Sequence, residues 1–301
     1  MAQIEANGIM LEYEDHGDPG APPMLLVMGL GAQLTLWPME LVESLMARGF
    51  RVIRYDNRDI GLSHKHDGAR APGMVRQMLM KRFGFNPQVP YTLADMAADG
   101  AGLLDALGIE RAHVVGASMG GMIAQHIAFS HPRKVISLTS IMSTTGNPRL
   151  PPARKEALKV LTQRPASMEE AVLVAHGVRV GRTIGSPGYP ADEERLRANV
   201  TRDFRRGFYP AGMPRQLAAI IADGDRRARL AKVAAPTLVI HGEGDPLVPV
   251  EGGRDTASAI PGARLKTVPG MGHDLPPELV DEIADAIADH ARSASDRNNN
   301  D

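Results

Sequence analysis

The sequence of 301 residues contains no cysteine. Disulfide bonds, thiolate metal sites and a cysteine nucleophile are therefore excluded. A strong charge of either sign is also missing, because the formal net charge is −1 at pH 7. Binding to nucleic-acid phosphates depends on a basic excess, so we expect no nucleic-acid partner.

No apolar run is long enough to span a bilayer. The first 14 residues carry Glu5, Glu12 and Glu14 and do not resemble a secretory signal. We therefore expect a cytoplasmic protein without a membrane partner. The zinc-binding pattern His-Glu-x-x-His is absent as well. We expect neither a metal nor an organic cofactor, because the chemistry predicted below requires none.

The sequence does contain short apolar runs that alternate with helical patterns, and 43% of its residues are hydrophobic. Asn7-Gly8 separates two alternating runs and predicts a hairpin. Thr92 and Asp95 form a capping-box pattern before one of the helices. The other predicted strands cover 24–28, 51–55, 113–115, 135–141, 237–240 and 264–268. This order indicates an α/β fold with a mostly parallel, eight-stranded sheet and helices on both faces.

The alternation stops between residues 148 and 232, where helical segments and prolines occur without a convincing strand. Strand-like sequence resumes afterwards. We therefore predict a helical cap at 148–232, inserted into one core domain formed by 1–147 and 233–292; an independent helical domain is the alternative. The polar segment 293–301 predicts a disordered tail. Residues 63–91 show no clear period and receive no assignment.

The most informative motif is Gly116-Ala117-Ser118-Met119-Gly120, which lies between a predicted strand and a predicted helix. A nucleophile on such a tight turn has a strained backbone and closely packed neighbours, so small residues are needed two positions away on each side. Ser118 is the predicted nucleophile. A chance glycine-rich loop is the alternative interpretation.

A serine nucleophile needs a base and an acid that orients the base. His273 follows the last predicted strand, and loops at the carboxyl ends of parallel strands are where such folds place their chemistry. Asp245 lies in the loop after the preceding strand. His241 is the rival base and Glu243 the rival acid. The order Ser, Asp, His is that of hydrolases with a Gly-x-Ser-x-Gly turn.

Two backbone N–H groups are candidates for an oxyanion hole. Met119 N–H begins the helix after the nucleophile. Leu30 N–H follows Gly29 in the loop after the strand 24–28. We predict a mostly apolar substrate pocket, and its predicted lining residues are Met28, Gly29, Leu30, Trp37, Met119, Leu173 and Phe208. The predicted partner is a small-molecule ester, and the sequence also allows a homo-oligomer.

Together these motifs resemble the α/β-hydrolase superfamily over residues 4 to 291. Most of that family has His-Gly where this sequence has Met28-Gly29. The Met-Gly form, followed by Trp37-Pro38, resembles the aclacinomycin methylesterase-like branch. The resemblance implies the α/β-hydrolase fold, a serine esterase that acts on short to medium or methyl carboxylic esters, and an acyl-enzyme intermediate. It also implies Ser118, Asp245 and His273 as the catalytic residues.

Other activities share the same residues. Cofactor-free perhydrolases or haloperoxidases, lactonases and carbon–carbon bond hydrolases of this fold also use Ser, Asp and His. The serine at position 118 excludes the dehalogenases and epoxide hydrolases that use an aspartate nucleophile. A non-catalytic receptor for a small ligand is the alternative from a different class.

Charged residues outside the motifs receive structural interpretations. Asp56 and Asp59 follow a predicted strand, and we expect them to hold their loop through an Asp–Arg network. The pairs Arg205-Arg206 and Arg226-Arg227 are expected on solvated helix faces.

Overall fold

A computed structural model describes residues 2–85, 87–163 and 165–298. Its eight strands are β1 (Ala2–Ala6), β2 (Ile9–His16), β3 (Pro23–Val27), β4 (Arg51–Tyr55), β5 (Ala112–Ala117), β6 (Val135–Ile141), β7 (Thr237–Gly242) and β8 (Arg264–Val268). They form one sheet in the order β1-β2-β4-β3-β5-β6-β7-β8. The pairs β1–β2 and β2–β4 are antiparallel, and all the others are parallel. The predicted eight-stranded α/β fold is confirmed.

Eleven α-helices lie in the described part of the chain. They are α1 (Met39–Ala47), α2 (Met74–Arg82), α3 (Leu93–Ala106), α4 (Met119–Ser130), α5 (Lys155–Thr162), α6 (Glu170–Ile184), α7 (Glu193–Gly207), α8 (Gly212–Asp223), α9 (Arg227–Leu230), α10 (Glu251–Ala259) and α11 (Val280–Asn298). The capping box before α3 is present: Asp95 N–H donates to Thr92 Oγ1, and Thr92 N–H donates to Asp95 Oδ2. None of these helices is long and apolar enough to cross a membrane.

The central strands are buried on both faces, which explains their continuous apolar sequence. Successive side chains of a strand point to opposite faces. Leu25 belongs to the cluster that packs against α3 and α4, whereas Leu26 belongs to the cluster that packs against α1 and α11. The sheet is therefore covered on both sides, and the loops at the carboxyl ends of its parallel strands share one edge.

Helices α5 to α9 follow one another between β6 and β7, and the described residues of 148–232 contain no strand. We refer to 148–232 as the helical insertion. Residues 63–91, which received no assignment from the sequence, contain α2.

The predicted disorder of 293–301 is wrong for 293–298, because α11 continues to Asn298. Ala291 and Ala294 are buried and continue the stripe that begins with Ile283 and Ile287. A single alanine among polar residues carries little apolar signal, which explains the error. Residues 299–301 lie outside the described part of the chain.

Two buried histidines predict acid-sensitive stability. Burial and the neighbouring His290 lower the pKa of His113 from 6.5 to about 4, and burial and Arg264 lower the pKa of His290 to about 4. In the unfolded chain both rings take up a proton near pH 6.5, so their contribution to stability is full above that pH and is lost as the pH falls towards 4. We expect each ring to lower the free energy of unfolding by about 2 kcal/mol between pH 7.5 and pH 5.

Urea denaturation of the parent, His113→Asn and His64→Asn at both pH values checks this expectation. His64 is exposed and serves as the control. The loss between the two pH values should shrink by about 2 kcal/mol in His113→Asn and should not change in His64→Asn. An equal loss in all three proteins would contradict the assignment to the buried ring.

Candidate active site

Ser118 occupies the single residue between β5 and α4. Its backbone has φ 56° and ψ −122°, a conformation that costs a non-glycine residue energy unless the surroundings hold it. Here Ser118 N–H donates to Ile141 O at 2.9 Å, and Ser118 O accepts from Gly121 N–H at 2.9 Å. The turn thus places a partly exposed hydroxyl at the carboxyl edge of the sheet.

The glycines of the motif are required by backbone contacts. A Cβ atom on Gly116 would lie 2.1 Å from Gly120 O, and one on Gly120 would lie 1.9 Å from Val27 O. Both neighbours are backbone atoms, which cannot move aside as the end of a flexible side chain can. The small residues at these positions therefore follow from the tight turn.

Gly120→Ala is expected to lower the free energy of unfolding by about 3 kcal/mol or more, because the added methyl group overlaps the backbone of β3. Gly73→Ala is the matched control: Gly73 has φ −59°, and a Cβ atom there would meet nothing within 4 Å. Urea denaturation should leave the control within about 0.5 kcal/mol of the parent. If Gly120→Ala lowered the free energy of unfolding no more than the control does, the turn would be able to rearrange around the added methyl group.

His273 lies in the loop after β8. Its Nε2 atom is 2.9 Å from Ser118 Oγ, and its Nδ1 atom is 2.7 Å from Asp245 Oδ2. The structure therefore joins the three predicted catalytic side chains in one hydrogen-bonded chain. The rival base, His241, hydrogen-bonds Val248 O through Nε2 and lies 3.7 Å from Asp245 Oδ2, on the acid's side of the site.

Asp245 is buried and held from both sides. Its Oδ1 atom accepts the N–H groups of Leu247 and Val248, each at 2.8 Å, while Oδ2 faces His273. These hydrogen bonds fix the orientation of the carboxylate, so that Oδ2 is directed at His273. Glu243, the rival acid, is exposed.

The loop after β3 lies against Ser118. A Cβ atom on Gly29 would be 3.0 Å from Ser118 Cβ and 3.5 Å from Ser118 Oγ. Among the described residues, the N–H groups of Leu30 and Met119 have no protein acceptor. Both proposed oxyanion donors are thus unpaired in the structure, one beside Ser118 in the chain and one in the neighbouring loop.

The predicted pocket residues have different surroundings. Trp37 is fully buried in the core cluster that also contains residues of α1, so we correct its assignment to the pocket. Met28 belongs to the same cluster. Leu173 is buried in α6, and Phe208 is 42% exposed, its ring 5.0 Å from that of Phe204. A pocket role for Leu173 and Phe208 stays a prediction.

The aspartates after β4 pair with arginines of the helical insertion. Asp56 Oδ2 accepts from Arg206 at 2.6 Å, and Asp59 forms two hydrogen bonds with Arg215 at 2.7 and 2.8 Å. Burial alone would raise the pKa of Asp59, but the hydrogen bonds from Arg215 and the His66 N–H hold it below its usual range. These pairs join the insertion to the edge of the sheet that carries Ser118.

The expected solvated position of the arginine pairs is wrong for two of their members. Arg206 is largely buried against Asp56, and Arg226 is buried and donates to Gln125 and to Asp223. Asp56 lies 150 positions from Arg206 along the chain. Local charge patterning therefore cannot reveal that partner.

Two further polar residues position the site, and the sequence analysis did not identify them. Gln216 of α8 is fully buried; its Oε1 accepts from Gly31 N–H and its Nε2 donates to Arg58 O, each at 2.9 Å. Ser186, after α6, accepts from Gly272 N–H at 2.8 Å and donates to Asp274. The helical insertion therefore holds both the loop of Leu30 and the loop of His273.

Within 2–85, 87–163 and 165–298, no group of three or more His, Cys, Asp or Glu side chains has the geometry to hold a metal ion.

A family model for the alpha/beta hydrolase fold matches residues 22–278 of the chain. Rhodomycin D methylesterase DauP of Streptomyces sp. (strain C5) is 31% identical, over 97% of this chain and 98% of DauP. Rhodomycin D methylesterase DnrP of Streptomyces peucetius matches with the same identity and coverage. Among solved structures, the enol-lactonase from Burkholderia xenovorans LB400 is similar with a TM-score of 0.69 and 25% identity, over 96% of this chain and 99% of the lactonase.

The fold, the Ser118 turn and the family match define the class: the chain belongs to the α/β-hydrolase family. Within this family it is similar over almost its whole length to the two methylesterases. The resemblance drawn from the Met28-Gly29 and Trp37-Pro38 patterns is confirmed.

Proposed function

We propose that the chain hydrolyses short to medium carboxylic esters, methyl esters in particular, through an acyl-enzyme on Ser118. The chemical class, a carboxylic ester hydrolase, rests on the family match and on the two related methylesterases. The observation that carries the mechanism is the hydrogen-bonded chain from Asp245 through His273 to Ser118, with distances of 2.7 and 2.9 Å.

In the first step Ser118 Oγ attacks the ester carbonyl carbon. The hydroxyl proton passes to His273 Nε2, and the carbonyl oxygen becomes an oxyanion. Asp245 keeps the Nδ1–H tautomer in place and stabilises the imidazolium. The tetrahedral intermediate then collapses, the bond to the alcohol oxygen breaks, and His273 returns the proton to the leaving alcohol, which is methanol for a methyl ester.

In the second step a water molecule attacks the acyl-enzyme. His273 Nε2 takes a proton from this water, and the second oxyanion forms at the same position. Collapse breaks the bond to Ser118 Oγ, which regains its proton from His273, and the carboxylic acid is released. We assign the stabilisation of both oxyanions to the N–H groups of Leu30 and Met119, each of which contributes about 3–4 kcal/mol in comparable sites.

The preference for small leaving groups and limited acyl length rests on two observations. The related proteins DauP and DnrP are named methylesterases. In addition, the helical insertion is bonded to the loops on both sides of Ser118, through Gln216 to Gly31 and through Ser186 to Gly272. Because the insertion is held at both loops, we expect it to limit the depth of the substrate pocket that a long acyl chain can enter.

A lactonase is the second candidate, favoured by the similarity to the enol-lactonase. A lactone is a cyclic ester, so Ser118 would open it by the same steps and the alcohol would stay attached to the acyl group. The two candidates differ in the substrate and share the catalytic residues.

Pre-steady-state kinetics with p-nitrophenyl esters tests the proposal. We expect a burst of p-nitrophenol close to one equivalent per protein chain, because acylation by an activated ester precedes a slower hydrolysis. A chain-length series should peak at short or medium acyl groups, and methyl esters should be cleaved faster than lactones of similar size. Binding without any release of p-nitrophenol would indicate a receptor, and a peak at very long chains would contradict the limited depth.

A further inference from the structure

Helix α2 shows the reverse of the usual orientation of an amphipathic helix. Val75, Met78 and Leu79 have the i, i+3, i+4 spacing of one helical face, and all three are exposed, Val75 to 69%. Gln77 is instead buried and donates to Pro72 O at 2.7 Å. A helix on a soluble protein normally turns its apolar face to the core, so an apolar face in solvent indicates a surface that binds something.

The apolar surface continues past the helix end. Phe83 and Phe85 are 71% and 64% exposed, and Met74 lies exposed at the start of the helix. We call the exposed side chains of Met74, Val75, Met78, Leu79, Phe83 and Phe85 the α2 patch. The helix is anchored from its other side, because α2 packs against α8 of the helical insertion. The patch is therefore carried by a fixed element of the fold.

The segment that carries the α2 patch has charge of one sign. Residues 68–94 contain three arginines and one lysine but no aspartate or glutamate, although the whole chain has a net charge of −1. Arg70, Arg76 and Arg82 are all exposed. Exposed aromatic and aliphatic side chains beside basic ones are what an anionic lipid surface binds: the apolar groups enter the boundary between headgroups and acyl chains, and the guanidinium groups contact the phosphates.

We infer that the α2 patch docks the protein onto the surface of an anionic membrane, with α2 lying in the plane of the interface. The low net charge and the lack of a spanning segment led to the expectation of no membrane partner. Both are whole-chain properties, whereas surface docking depends on a local concentration of apolar and basic groups. The α2 patch lies outside the hydrogen-bonded chain of Ser118, so docking does not depend on the proposed reaction.

A second copy of the chain fits this surface less well. A twofold interface would place the same patch against itself and bring arginines of the two copies together. The segment 68–94 has no carboxylate to pair with them. A bilayer rich in anionic phospholipid supplies the opposite charge and an apolar layer together.

Vesicle flotation tests the inference. The chain of 301 residues should float at least ten-fold more with vesicles of 70% phosphatidylcholine and 30% phosphatidylglycerol than with pure phosphatidylcholine vesicles, and 0.5 M NaCl should reduce this excess. Phe83→Ser/Phe85→Ser should lose most of the binding. Leu158→Ser/Met168→Ser, which removes two exposed apolar side chains elsewhere, should keep it.

Charge is tested in the same assay. Arg70→Gln/Arg76→Gln/Arg82→Gln should bind the anionic vesicles at least ten-fold less than Arg133→Gln/Arg149→Gln/Arg254→Gln, which removes the same charge from other exposed positions. Turnover of a soluble p-nitrophenyl ester should be unchanged in all four variants, which shows that they are folded. Ser118→Ala should float like the parent, so that a failure of the proposed reaction does not affect this test.

Three results would overturn the inference. The first is equal flotation with both vesicle types. The second is loss of binding in the matched controls as well as in the patch variants. The third is the absence of vesicle binding together with a dimer, seen by sedimentation equilibrium, that Phe83→Ser/Phe85→Ser converts to a monomer, which would make the patch an interface between copies.

Discussion

Ser118→Ala is expected to lower kcat for ester hydrolysis by about 10⁶-fold while the protein stays folded. The substitution removes only the oxygen that lies 2.9 Å from His273 Nε2. The turn itself depends on Gly116 and Gly120 and on the bond from Ser118 N–H to Ile141 O, all of which remain. The thermal midpoint should therefore stay within a few degrees of the parent.

A double variant tests whether Ser118 and His273 act as one unit of nucleophile and base or contribute independently to the rate. If Ser118 and His273 act together, Ser118→Ala/His273→Ala should be no slower than Ser118→Ala alone. Steady-state rates with a p-nitrophenyl ester measure both variants. Retained activity in Ser118→Ala, with an unchanged rate of release, would remove this residue from the nucleophile role.

Asp245→Asn is expected to lower kcat by about 10⁴-fold. The backbone N–H groups of Leu247 and Val248 would still hold Oδ1, so the amide –NH₂ would face His273 Nδ1 in place of Oδ2. A donor at that position favours the tautomer with the proton on Nε2, and that tautomer cannot accept the proton of Ser118.

Glu243→Gln is the matched control for Asp245→Asn. It makes the same carboxylate-to-amide change two residues away, on an exposed side chain. Its kcat should stay within about two-fold of the parent value, since surface changes away from the site have small effects. Comparable losses in both variants would show that the loop, and not the contact with His273, governs the rate.

The fold and the hydrogen-bonded chain of Ser118, His273 and Asp245 were predictable because their determinants are local. The turn at Ser118 needs glycine at 116 and 120 for steric reasons that leave a pattern in five consecutive residues. His273 and Asp245 each follow a strand, and the carboxyl ends of parallel strands meet at one edge. The order of the strands in the sheet then brings these distant loops together, so no further sequence signal is needed to place them near Ser118.

The side chains that hold the loops of the site in place were not predictable, because each of them lies far from its partner in the sequence. Gln216 bonds Gly31 across 185 positions, and Arg206 bonds Asp56 across 150. An arginine on a helix gives the same sequence signal whether it faces water or a buried carboxylate. Helix α2 received no assignment, because three apolar residues at helical spacing within nine residues are too few to establish a period.

Trp37 illustrates a different limit. A large aromatic residue a few positions after Leu30 is consistent with both a pocket and a core, and the sequence does not decide between them. In the structure Trp37 is fully buried in the same cluster as Leu41 and Leu45, which places it in the core.

Acid quenching during turnover, followed by mass spectrometry of the peptides, tests most directly whether the reaction passes through Ser118. With a p-nitrophenyl ester in excess, we predict that one acyl group is attached per chain and that it maps to the hydroxyl of residue 118. The Ser118→Ala protein should carry none. An acyl group on another residue, or steady hydrolysis with no acylated peptide at any quench time, would contradict the acyl-enzyme mechanism.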